Sequence, residues 1–292
     1  MTSLFLHVGL PKTGTTSLQR FLDDNRDALA ARGFGYPKTG IPAAPHNWGH
    51  HGLVSALDDG DPGGLWHACA REVAGSPAAV VSSELFSRTL GAVSAGPILD
   101  AFAQWTVVPV IYLRRQDQFL EAAYNYNVKA NGVTADIMTF AEEFAWRLDY
   151  VRLLEELERA FGRSTLRVRI YGRELVGGDT VSDFLSAIGL PFDDALRRPQ
   201  VALNRGLTRD GMTLMLAANR RHADAPDALA AARREIVAAN PAAAHTEHSM
   251  LSRTQRQAIL SRYKAGNAAI AAAHFGRRVL FRDEYPRAVR QA

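Results

Sequence analysis

Along the first two hundred positions, short apolar runs alternate with longer stretches of helical period. Residues 4–8 (Leu-Phe-Leu-His-Val) form a compact apolar run of the kind that a parallel strand buried on both faces requires. After a turn rich in Gly, Pro and Thr the period changes at Thr15. Leu18, Phe21, Leu22 and Leu29 then share one face, with Asp23, Asp24, Arg26 and Asp27 off it, which predicts an amphipathic helix ended by Gly33. A brief second strand is expected at residues 34–36, before Pro37. Further strands are expected at residues 78–83, 106–113 and 166–171, the second of which carries Pro109, an awkward residue for a central strand. Helical periods cover residues 51–57, 116–130 and 137–160, and Thr180-Val181-Ser182-Asp183 reads as a capping signal for a helix to Ile188. Beyond about residue 205 the strand signals stop and three helical stretches follow, one of them the Ala-rich 225–239. This alternation predicts an α/β fold, a mostly parallel sheet flanked by helices, with a helical C-terminal part. A single domain over residues 1–292 is expected, with the α/β core in 1–205 and a helical cover in 206–292.

Composition narrows the function classes. Of 292 residues, 47% are hydrophobic and 22% charged, an ordinary globular balance that rules out wholesale disorder. Lys and Arg number 34 against 30 Asp and Glu, a net charge of +4. That excess suits a small anionic ligand and is too weak and scattered for nucleic acid. Cys69 is the only cysteine, which excludes an internal disulfide framework and a cysteine-based zinc site and is consistent with a reducing compartment. The N-terminus lacks the basic-then-apolar pattern of a secretion signal. The longest apolar run, residues 105–113, is less than half of the roughly 20 residues a spanning helix needs. A cytoplasmic protein without a membrane span is expected.

The most informative segment is residues 7–17, His-Val-Gly-Leu-Pro-Lys-Thr-Gly-Thr-Thr-Ser, between the first strand and the first helix. Such a junction gathers backbone N–H groups and the positive helix end at one spot, where an anion is favoured. Gly9 and Gly14 allow a tight turn, Lys12 adds a mobile cation, and Thr15, Thr16 and Ser17 add hydroxyls. A plain Gly-Pro turn with helix-capping hydroxyls would share part of this composition. A lysine, two glycines and three successive hydroxyl residues together favour an anion site. The spacing is not that of a Walker-type P-loop, because Lys12 precedes the second glycine and Thr15 stands where the nucleotide-binding lysine would be.

Pro11-Lys12-Thr13-Gly14-Thr15-Thr16-Ser17-Leu18-Gln19 resembles the 5′-phosphosulfate loop of sulfotransferases that use 3′-phosphoadenylyl sulfate (PAPS). Residues 108–126, Val-Pro-Val-Ile-Tyr-Leu-Arg-Arg-Gln-Asp-Gln-Phe-Leu-Glu-Ala-Ala-Tyr-Asn-Tyr, resemble the family's strand and helix that bind the 3′-phosphate. Arg114 takes the place of the strand-end arginine. The family's serine eight residues on falls on Ala122, which removes a hydroxyl contact; Arg115 reads either as its replacement or as a solvated neighbour. Arg169-Ile170-Tyr171-Gly172-Arg173-Glu174-Leu175 is similar to the strand whose tyrosine approaches adenine. Asn204-Arg205-Gly206-Leu207-Thr208 is similar to a short loop that precedes the helical part in bacterial members. The resemblance covers most of residues 4–210. It implies a P-loop-like sulfotransferase fold, PAPS as co-substrate with PAP as product, and nucleotide contacts from Lys12, Thr13, Gly14, Thr15, Thr16, Ser17, Arg114 and Tyr171. The implied reaction is sulfuryl transfer to an acceptor hydroxyl or amine, with a carbohydrate or glycolipid hydroxyl favoured.

That chemistry needs charge stabilisation on the leaving oxygen, for which Lys12 is the candidate, and a base for the acceptor. A sulfuryl group carries less negative charge than a phosphoryl group, so no metal is expected. His46, His50 and His51 cluster after the second strand, and an imidazole titrating near 6.5 suits proton transfer at neutral pH. Glu84, following the strand Val80-Val81-Ser82-Ser83, is the rival base, at the strand end where open α/β sheets bind ligands. His7 is expected as a satisfied core histidine. Two other readings remain: a P-loop-like nucleotide kinase or NTPase, which shares the anion-loop physics, and a non-catalytic nucleotide-binding relative, which Ala122 keeps open.

Overall fold

The computed structural model describes residues 2–45, 47–90, 95–193, 195–198, 206–240 and 250–282. The elements run β1 (Ser3–His7), α1 (Thr15–Asp24), α2 (Arg26–Ala30), β2 (Phe34–Gly35), α3 (His51–Asp58), α4 (Leu65–Glu72), β3 (Ala78–Ser82), α5 (Phe86–Thr89), α6 (Gly96–Ala101) and β4 (Thr106–Leu113). They continue with α7 (Gln116–Asn131), α8 (Ile137–Glu143), α9 (Ala145–Leu148), α10 (Tyr150–Phe161), β5 (Arg167–Ile170), α11 (Thr180–Ile188), α12 (Arg209–Arg221), α13 (Pro226–Ala239), α14 (Arg253–Arg262) and α15 (Lys264–Phe275). Two compact units result. One takes residues 1–114, 150–201 and 270–292, and the other takes 115–149 and 202–269.

The first unit is built on a five-stranded sheet in the order β2-β3-β1-β4-β5, parallel at every junction. Helices flank it, as the alternation predicts. Central β1 is buried on both faces. Phe5 joins Leu18, Phe21 and Leu22 of α1, Val80, Val108, Tyr112 and Phe184 of α11 in one cluster, while Leu4 and Leu6 fall on the opposite face by strand alternation. Pro109 is tolerated in β4 for a simple reason. Thr106 N–H donates to Thr2 and the Val110 carbonyl accepts from Val8, so even-numbered positions face β1 and Pro109 faces the β5 side. Pairing with β5 begins only at Val110 opposite Arg167, so the missing N–H breaks no ladder bond.

Several expectations are corrected. The helix expected to run from Thr15 to Gly33 is broken at Asn25, whose side-chain amide donates to the carbonyls of Phe21 (2.7 Å) and Arg197 (2.9 Å) and accepts from Arg197 N–H (2.7 Å). This tie to a distant segment fixes Asn25 outside helical geometry. The stretch 137–160 is three helices, with a non-helical Asp149 where the chain passes from the second unit to the first. Helix α4 escaped the sequence reading because the residues before it are rich in Asp, Gly and Pro. The Asp61 carboxylate accepts the N–H groups of Leu65 and Trp66 and so starts the helix. The cap of α11 is Asp179, one residue before the expected signal, and the Thr180 hydroxyl is directed elsewhere.

In the second unit, α7 is the organising helix. Buried Asp117 accepts from Arg115 (2.8 Å) and Arg256 (2.9 Å), and Glu121 accepts the N–H groups of Met250 and Leu251. Asn125 clamps both backbone groups of Leu207. Beyond residue 205 the described helices are α12 to α15, four where three were expected.

Candidate functional site: a braced glycine loop at the carboxyl edge of the sheet

A parallel sheet delivers every strand's carboxyl end to one edge. Here β1 leads into residues 9–14, β3 into Ser83 and Glu84, β4 into Arg114 and β5 into Tyr171. The strand order reverses direction at β1, with β3 on one side and β4 on the other, so the end of β1 is a topological switch point, where such sheets bind ligands.

The loop after β1 is tightly specified. Gly9, Lys12 and Gly14 have φ of 68°, 68° and 79°. A side chain at Gly9 would place its Cβ 2.7 Å from Glu84 Cα, and one at Gly14 would lie 2.5 Å from the Thr180 hydroxyl, so both glycines are needed for close approach as well as for φ. Lys12 has no such licence. A left-handed lysine costs about 1–2 kcal/mol, and strain of this kind collects at functional sites. Side chains brace the loop from outside: the Thr13 hydroxyl donates to the Leu10 carbonyl (2.6 Å), Arg114 Nη1 to the Lys12 carbonyl (2.7 Å) and the Thr180 hydroxyl to the Thr13 carbonyl (3.3 Å). Helix α1 then opens at Gly14 with no side-chain cap.

Arg114 links this loop to the next strands. Its guanidinium lies 5.3 Å from the Tyr171 ring centroid, Tyr171 N–H donates to the Leu113 carbonyl (2.8 Å), and the Tyr150 hydroxyl donates to the Arg114 carbonyl (2.6 Å). Of the residues expected to contact nucleotide, Lys12, Thr13, Gly14, Thr15, Thr16 and Ser17 share the loop and first helical turn, and Arg114 and Tyr171 stand at adjacent strand ends. Thr13 is fully buried with its hydroxyl engaged by backbone, so it braces the loop. Arg115 is bound in two places to Asp117 within the first turn of α7. Ala122 lies on α7, in the second unit.

The candidate bases separate by environment. His50 is fully buried; its Nδ1 accepts from Ser82 N–H (3.1 Å), and its Nε2 donates to the Pro37 carbonyl (2.9 Å). His51, half-buried at the start of α3, pairs its Nδ1 with the Ser83 hydroxyl at 2.7 Å. Glu84 Oε2 accepts from Gln19 Nε2 at 2.8 Å, and Glu84 backs directly onto Gly9. His46 lies outside the described residues, as do Asn204 and Arg205. Sequence reasoning missed the supporting roles of Gln19 and Thr180. A glutamine on the buried face of α1, beside Leu18 and Leu22, was the available signal.

His7 is fully buried. Its Nδ1 meets the Ser82 hydroxyl at 2.7 Å, while Nε2 has no hydrogen-bond partner and the ring packs edge-on against Tyr112 and Phe184. The expected satisfied core histidine is therefore satisfied at one nitrogen only. Burial pushes the pKa of His7 down to about 3 and that of His50 down to about 4. The unfolded chain binds these protons near pH 6.5 and the folded chain does not, so both histidines leave stability intact above pH 6.5 and subtract from it as pH falls toward 4 and then 3. We expect the thermal midpoint to drop steeply from pH 6.5 to 4, and His50→Gln to flatten part of that slope. An unchanged slope in the variant would contradict the buried neutral assignment.

Among the described residues no group of three or more His, Cys, Asp and Glu could hold a metal ion, and no helix is long and apolar enough to cross a membrane. No family model matches the chain. An uncharacterized protein of Archaeoglobus fulgidus is 35% identical over 101 residues, a match that covers 34% of this chain and 26% of the length of that protein. Among solved structures, a sulfotransferase from Alicyclobacillus acidocaldarius aligns over 80% of this chain and 95% of its own, with 17% identity and a TM-score of 0.43. Similarity at these levels assigns no family by itself. The arrangement at the sheet edge is the stronger guide.

Proposed function

We propose that this chain transfers a sulfuryl group from PAPS to a hydroxyl acceptor, with a carbohydrate or glycolipid as the favoured class. One observation carries the reading: Lys12, held left-handed at the switch point, is braced through its carbonyl by Arg114, the residue that the resemblance assigns to the 3′-phosphate. One arginine thus joins the two ends of the nucleotide site. Tyr171, beside the Arg114 guanidinium, offers a flat face for adenine.

PAPS supplies a sulfuryl group on a phosphate leaving group. As the bond between sulfur and the bridging oxygen breaks and a bond to the acceptor oxygen forms, negative charge grows on the 5′-phosphate of departing PAP. The Lys12 ammonium, the first-turn amides of α1 and the hydroxyls of Thr15 and Thr16 are the groups that stabilise it. The acceptor proton passes to a base. Glu84 is the better placed candidate because it abuts Gly9 of the loop and holds one carboxylate oxygen on Gln19, which leaves the other for the acceptor. His51 is the alternative. His50, with both ring nitrogens engaged by backbone, positions the segment that leads into α3. The single buried thiol, Cys69, fits a cytoplasmic setting.

The test is turnover itself. Purified protein is incubated with PAPS and a panel of mono- and oligosaccharides, phenols and amines, with chelator present, and release of PAP is followed. PAP release that depends on a sugar acceptor, with a sulfate ester formed on its hydroxyl, is the expected result. Absence of acceptor-dependent release across the panel, with hydrolysis of Mg-ATP in a parallel assay without chelator, would favour the NTPase reading.

A further inference from the structure

Gln19 is 3% exposed, and its amide sits between two segments. On one side Nε2 donates to Glu84 Oε2 at 2.8 Å. On the other lies the backbone of Gly49, where an added Cβ would meet Gln19 Nε2, Cδ and Oε1 at 2.8, 2.9 and 3.0 Å and no other residue as closely. Gly49 is not in the left-handed region, so its backbone does not call for glycine. The space does. What Gly49 leaves room for is the amide of Gln19 in the orientation that points Nε2 at Glu84.

We propose that Gln19 is the positioning residue for Glu84, and that Gly49 locks it there by laying bare backbone against the amide. The inference rests on the reading of Glu84 as the base. An N–H donated to a carboxylate favours its charged form and fixes one oxygen, so that the other faces the acceptor in a defined direction. Gly49 belongs to the segment that leads into His50 and His51, which hydrogen-bond Ser82 and Ser83 beside Glu84, and the Gln19 amide is the link from that segment to the carboxylate itself. Among the charged and titratable side chains on the segments packed about Glu84 are Lys12, Arg20, Tyr36, His50 and His51, and none is altered by the variants below.

The amide is the flexible end of its side chain, so Gly49→Ala folds and moves Gln19 aside. Gln19→Leu removes the donor outright. Full-length protein labelled with carbon-13 at glutamate carboxyls is observed by NMR at fixed neutral pH, with the Glu84 signal assigned by its loss in Glu84→Gln. The Glu84 carboxyl resonance is expected to move in Gln19→Leu, which takes away its N–H donor. Gly49→Ala is expected to move it in the same direction, and the double variant no farther than Gln19→Leu alone. In turnover kcat falls by about tenfold while KM for PAPS holds. An unmoved Glu84 resonance in both single variants, or additive shifts in the double, overturns the inference. Failure of the proposed reaction would appear as absent turnover in the wild type and leaves the spectrum readable.

Discussion

Lys12→Ala is expected to fold as the wild type does and to lose sulfuryl transfer by about 10²–10³ in kcat, the scale of removing one charge-stabilising donor from a preorganised site. Alanine at φ 68° carries much the same backbone strain as lysine, so little stability should change. Lys12→Gly separates strain from chemistry. Glycine accepts the left-handed conformation freely, so this variant is expected to melt higher by an amount corresponding to ~1 kcal/mol and to be as inactive as Lys12→Ala. A stabilised, inactive glycine variant means that the strain is retained for the ammonium it aims. Both variants turning over at wild-type rate would remove Lys12 from the reaction.

Glu84→Gln carries the second large effect. The change keeps the side chain's shape but removes the proton acceptor, for which a loss of about 10²–10⁴ in kcat is the usual scale. Glutamine also leaves two amide groups facing each other at Gln19, so the expected signature is a large fall in kcat with PAP affinity preserved. His51→Asn is expected to cost far less. The reverse order of effects, with His51→Asn the slower enzyme, would move the base to the Ser83-paired imidazole.

Much of the sheet was legible because parallel strands buried on both faces leave unbroken apolar runs such as Leu4-Phe5-Leu6 and Val107-Val108, and because a lysine between two glycines is rare chemistry at a strand end. Helix breaks were not legible. Asn25 and Asp149 are compatible with a continuing helix by local propensity, and what stops the chain at Asn25 is a contact with Arg197, far away in sequence. The roles of His7 and His50 were hidden for a related reason. Adjacent histidines 50 and 51 read alike, yet one is fully buried against Pro37 and Ser82 while the other reaches the hydroxyl of Ser83. Periodicity reports which face a residue takes, and a partner thirty positions away decides what it can do there. Gln19 shows the same limit, since its neighbours Gly49 and Glu84 come together only in the fold.

The central claim is that the loop from Gly9 to Ser17 grips the 5′ end of the nucleotide, and calorimetric titration of PAP into wild-type and Lys12→Ala protein tests it most directly. One-to-one binding without added divalent metal, weakened by at least about tenfold in the variant, is the expected result, since a charged hydrogen bond to phosphate is worth about 1.5–3 kcal/mol. Well-folded wild-type protein that takes up no PAP, or a variant that binds it equally well, would contradict the claim.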